Sequence, residues 1–146
     1  MKLETNTGSD QAIGSNPVAH NRHACGQNDV AVVKDDEFFT DVDHGPFRAW
    51  GICDVTCNTT GVSMAKGDMP PHSEGAFHAH HDTDTALYIL AGRVIAEWID
   101  KGRNVHQTKA TAGEFIFIPK GVIHRPVNAF NVPMTYIVAR GVAHAD

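Results

Sequence analysis

The 146-residue chain carries 12 Lys plus Arg against 17 Asp plus Glu, a formal net charge of −5 at pH 7. Nucleic acid and anionic membrane surfaces demand clustered positive charge, and no basic patch with interleaved aromatics occurs, so neither is expected as a partner. The length suits a single domain that stabilises its own core, and 42% apolar with 20% charged residues is the composition of an ordinary globular protein.

The first sixteen residues lack the apolar stretch of a secretory signal, and no run approaches the ~18 apolar residues that cross a bilayer. Three cysteines, Cys25, Cys53 and Cys57, fit neither a disulfide framework nor a Cys-x2-Cys zinc knuckle. The expectation is a cytoplasmic protein with reduced thiols. Residues 1–28 show neither helical nor strand period and read as a flexible arm, with His20, His23 and Cys25 as solvated side chains. The rest, 29–146, reads as one domain.

Along that domain short strands are expected at 30–34, 47–55, 61–66, 86–91, 93–99, 104–109, 115–118, 122–127 and 134–140. Gly67-Asp68-Met69-Pro70-Pro71 reads as a turn, because proline cannot donate to a ladder. Asp100-Lys101-Gly102 reads as a hairpin turn. Many short strands at regular spacing, with no amphipathic helix of three turns, predict an all-β sandwich or barrel.

Ten histidines are a high proportion for this length, and histidine is the commonest metal ligand. Side chains alternate faces along a strand, so His78 and His80 project to one side and His81 to the other. Two imidazoles so placed can share one ion. His124 follows Pro119-Lys120-Gly121, where a turn returns the chain across the sheet. Three such nitrogens would leave coordination positions open for water or substrate.

Two segments resemble the motifs of the cupin family, over about residues 60–140. The second motif is complete: Gly113, Pro119, Gly121, His124 and Asn128 stand at the family's spacing. The first has His78, His80 and Gly92, but the family's glutamate is missing. Counting back from Gly92 its place falls on Thr85; counting forward from His80, Asp84 stands in. The resemblance implies an all-β double-stranded β-helix, the jelly-roll cupin barrel, with a divalent metal held by His78, His80 and His124, and with Asp84 as a possible fourth ligand. Fe(II) is favoured, with Ni, Mn, Zn and Cu also open. A three-histidine site resembles those of cupin dioxygenases, so the leading expectation is a non-haem Fe(II) dioxygenase acting on a small organic molecule. Two alternatives stay open: an isomerase or lyase using the ion as Lewis acid, with His72 or His106 as base, and a non-enzymatic cupin that binds a metabolite or metal.

The remaining candidates have plainer expectations. Thr85 is a packing or hydrogen-bonding residue. His72, His81 and His106 are exposed, Cys53 and Cys57 are small buried side chains, and Glu97 faces solvent. Gly121 supplies a special backbone conformation, and Asn128 ties a strand end. A homodimer is expected, with residues 30–34 adding to a neighbour's sheet edge.

Overall fold

The computed structural model describes residues 30–41, 47–57 and 59–144. The expected arm at 1–28, with His20, His23 and Cys25, lies outside them. The described residues form ten strands in order: β1 (Phe39–Asp41), β2 (Phe47–Ile52), β3 (Ser63–Met69), β4 (Ser73–Glu74), β5 (Thr85–Ala91), β6 (Arg93–Ile99), β7 (Val105–Thr111), β8 (Phe115–Ile118), β9 (Ile123–Asn128) and β10 (Met134–Arg140). Among the described residues the only helical element is a single 3-10 turn, Asp35–Glu37. The strands form a six-stranded sheet, β1-β2-β3-β10-β5-β8, and a four-stranded sheet, β4-β9-β6-β7, with every pairing antiparallel. This is the all-β jelly roll that the strand spacing and the motifs predict.

The inner face of the large sheet follows from strict alternation. On β3, Ser63, Ala65, Gly67 and Met69 are buried while the residues between them are exposed. On β10, Met134, Tyr136, Val138 and Arg140 point the same way and stand opposite Met69, Gly67, Ala65 and Ser63. Trp50 of β2, Ile89 of β5 and Val94 of β6 complete the core. Burying such side chains contributes roughly 1.5–3 kcal/mol each. A Cβ at Gly67 would lie 2.3 Å from the Tyr136 ring, so the missing side chain makes room for that ring. Gly92, between β5 and β6, has φ +75°, and a Cβ there would meet the Pro133 carbonyl oxygen at 2.4 Å. Only glycine passes this corner without strain.

Three expectations are corrected. Residues 30–34 form no strand, and Val30 and Val32 are 100% and 79% exposed. The outer strand is instead β1, whose Phe39 packs against the core. Beyond Ile52 the chain leaves β2: Cys57 N–H donates to Cys53 C=O at 2.8 Å, and the Thr56 hydroxyl donates to Gly51 C=O at 2.8 Å. Those local bonds stop the strand before residue 55. Gly67, Asp68 and Met69 belong to β3 rather than to a turn, because Gly67 answers Tyr136 across the ladder.

Candidate metal centre

His78 lies between β4 and β5 and makes an isolated antiparallel bridge to His124 near the start of β9. His78 N–H donates to His124 C=O at 3.0 Å, and His124 N–H donates to His78 C=O at 2.9 Å. His80, two residues on, projects with His78. Ring centroids lie 5.0 Å apart for His78–His80, 4.5 Å for His78–His124 and 5.5 Å for His80–His124. One nitrogen from each ring falls within 4.8 Å of the other two. Ligand distances of ~2.0–2.1 Å place two nitrogens on a common ion at most ~4.2 Å apart, so small ring rotations close the set.

The backbone fixes two tautomers. His78 Nδ1 lies 2.9 Å from the Ala76 carbonyl oxygen, and His124 Nδ1 lies 2.8 Å from that of Val122. A carbonyl only accepts, so each Nδ1 carries the proton and each Nε2 keeps its lone pair, the arrangement usual for a metal-ligating histidine. His80 Nε2 accepts from Arg140 Nη2 at 3.3 Å. Burial, then the Arg140 charge and the neighbouring histidines, hold the His80 pKa down at about 3. Burial also lowers that of His124, against the raising effect of its bond to Val122. Nitrogen donors from three imidazoles fit a divalent transition metal.

The turn that delivers His124 is clamped from the other motif. Gly121 N–H donates to His80 C=O at 2.6 Å, and Lys120 N–H donates to Asp84 Oδ1 at 2.9 Å. Gly121 sits at φ +80°, the special conformation expected of it. Asp84 is exposed and is not among the side chains that converge with the three histidines. Its short side chain holds the Pro119–Gly121 backbone instead. Thr85 is buried, and its hydroxyl has no hydrogen-bond partner.

The histidines edge a cavity of ≈ 580 Å³ between the sheets, walled largely by aliphatic side chains such as Leu87, Val94, Ile116 and Val138. Thr85, Arg48, Tyr136 and Arg140 also line it. Glu97, expected to face solvent, lines it too, bonded by Arg125 Nε at 2.7 Å, and Arg125 reaches Glu74 at 3.1 Å. His72 and His106 do not line it: His72 bonds Asn131 Oδ1 at 2.6 Å, and His106 bonds Asp100 Oδ2 at 2.8 Å and stacks on Trp98. Both are exposed, as is His81. Cys53 and Cys57 are buried free thiols. Asn128 is buried, donates to Pro70 and Val132 carbonyls at 3.0 and 2.9 Å, and accepts from Phe130 N–H at 3.1 Å, so it does tie the end of β9.

Arg140 is the cavity residue that motif reading missed. It is 5% exposed, and burial followed by repulsion from Arg48 lowers its pKa to about 10, which leaves it charged at neutral pH. The signal was present in the alternation of Met134, Tyr136, Val138 and Arg140, which puts the arginine on the core face.

Residues 66–140 match the family described as Cupin domain. Germin-like protein 3-8 of Oryza sativa subsp. japonica is 29% identical over 94 residues, covering 58% of this chain and 42% of its own length. The chain thus spans less than half of that relative. An oxalate oxidase in complex with the substrate analogue glycolate superposes with a TM-score of 0.54 at 21% identity, over 59% of this chain and 44% of that one. Bacillus subtilis oxalate decarboxylase, in a structure concerned with its Mn(II) centres, superposes with a TM-score of 0.69 at 9% identity, over 85% of this chain and 33% of that one. At such identities the likeness is one of fold.

Proposed function

The chain belongs to the cupin family, and on that premise we propose that it is a metal-dependent oxidoreductase, a dioxygenase of a small organic molecule, with Fe(II) as the favoured ion. The observation that carries this reading is the convergence of His78, His80 and His124 with no carboxylate beside them among the described residues. Thr85 stands where a glutamate would add a fourth ligand. When bound, the ion would supply a Lewis-acid and redox centre with positions open to substrate and oxygen, its charge undiminished by its protein ligands.

The chain's own residues do the rest. The Ala76 and Val122 carbonyls orient the imidazoles of His78 and His124. The aliphatic cavity walls exclude water and hold an apolar substrate body. The Arg125–Glu97 pair adds a fixed polar group at the wall. A lyase or isomerase with His72 or His106 as base has less support, since both side chains lie outside the cavity.

Mn(II) is the second reading for the ion, favoured by the fold-level neighbour whose structure concerns Mn(II) centres. Metal analysis of tag-free protein, followed by oxygen-electrode measurements on each metal-loaded form, tests the reading. Oxygen uptake with an organic substrate supports it, and turnover without oxygen contradicts it. Cytoplasmic residence, consistent with the free thiols of Cys53 and Cys57, and a homodimeric state belong to the same proposal.

A further inference from the structure

Buried polar atoms without hydrogen-bond partners are rare, because each costs about 1–3 kcal/mol. Here six such atoms belong to one neighbourhood of the large sheet: Arg48 Nε, Trp50 Nε1, Ser63 Oγ, Thr85 Oγ1, and Arg140 Nε and Nη1. Ser63 and Thr85 flank Arg140 in register on either side of β10. The Arg48 and Arg140 guanidinium carbons lie 5.6 and 5.3 Å from the centre of the Trp50 ring. Each of these atoms carries a hydrogen to donate, and none has an acceptor among the described residues. Arg48 has a carboxylate partner in Asp41, whereas among the described residues the one hydrogen bond of the Arg140 side chain goes to neutral His80.

We propose that Arg140, with the Thr85 hydroxyl beside it and Arg48 in support, binds the carboxylate of a small organic acid whose apolar body fills the aliphatic cavity. Thr85, opposite Arg140 on the neighbouring strand, offers it only a hydroxyl. The ligand's carboxylate supplies a directly bonded negative partner, which no carboxylate among the described residues gives Arg140. A planar guanidinium suits a carboxylate because two parallel N–H groups meet two oxygens. The inference deepens the proposed function by naming its substrate class, and rests on that reading only for the reaction the acid undergoes.

The test compares acids with their neutral amides on the full chain, by calorimetry, in metal-free and metal-loaded protein. Acetate, hexanoate and benzoate are paired with acetamide, hexanamide and benzamide. In metal-free protein at least one acid is expected to bind about tenfold or more tighter than its amide, the scale of one charge-assisted hydrogen-bonded pair. Arg140→Gln removes that preference. Arg140→Lys, which keeps the charge and so guards against loss of fold, retains only part of it, and Thr85→Val weakens it less. Cobalt titration of each variant reads the metal centre separately, so a failed metal reading and a failed acid reading are distinguishable. No preference for any acid over its amide, a preference untouched by Arg140→Gln in a folded variant, or a preference confined to metal-loaded protein overturns the proposal.

Discussion

His78 and His124 are joined by two reciprocal main-chain hydrogen bonds, 3.0 and 2.9 Å long, so their imidazoles issue from directly opposed positions on two antiparallel segments. The bridge makes the two motifs one structural unit. A side chain lost at either end leaves the other in place, because the backbone holds the pair. His124→Ala is therefore expected to abolish metal binding while changing the fold little; collapse of the variant in circular dichroism would show that the imidazole itself holds the bridge.

Asp84 is expected to behave as a support for the turn. Asp84→Ala removes the acceptor of Lys120 N–H and loosens the segment that delivers His124, so metal affinity falls by about 10–100-fold at most. His80→Ala, in contrast, loses binding altogether. Calorimetric titration of both variants decides, and complete loss in Asp84→Ala would make it a carboxylate ligand.

The motifs carried the site and the fold far, for a physical reason. Family spacing picks out which histidines converge and where glycine must turn the chain, as at Gly92 and Gly121. What spacing does not encode is the partner of each side chain. Asp84 and Thr85 were both open as replacements for the glutamate, and only the Lys120 contact shows where Asp84 is used. Residues 30–34 have strand composition, but composition does not place a strand against a core, and Phe39 does. Arg140 stands outside both motifs, and only the alternation along β10 places it on the core face.

The acid sensitivity of the metal-free protein follows from His80. Its pKa falls from 6.5 to about 3 on folding, so between those values the unfolded chain binds more protons. Stability from this source is full above pH 6.5 and is lost as pH falls toward 3, with His124 acting in the same direction. Thermal melts of metal-free protein across that range should fall with acidity, and less steeply in His80→Asn. An identical slope in the variant would place the sensitivity elsewhere.

Asn128→Ala should cost about 1–3 kcal/mol, because it strips hydrogen bonds from buried carbonyls at Pro70 and Val132. Urea denaturation measures this. A change within a few tenths of a kcal/mol would mean that those carbonyls find other donors.

Residues 30–34 form no strand within the chain, and Phe115 and Phe117 of the outer strand β8 are 77% and 66% exposed. Exposed apolar side chains on a sheet edge favour association. Light scattering at micromolar concentration should give twice the chain mass; a monomer mass would exclude the dimer.

The central claim is that His78, His80 and His124 hold one ion. Anomalous diffraction from crystals of metal-loaded, tag-free protein tests it most directly. The account predicts a single peak bonded to a nitrogen of each of the three rings at ~2.0–2.2 Å, with Asp84 still on Lys120. A peak that leaves out any of the three imidazoles, or none at the site in protein saturated with metal, would contradict it.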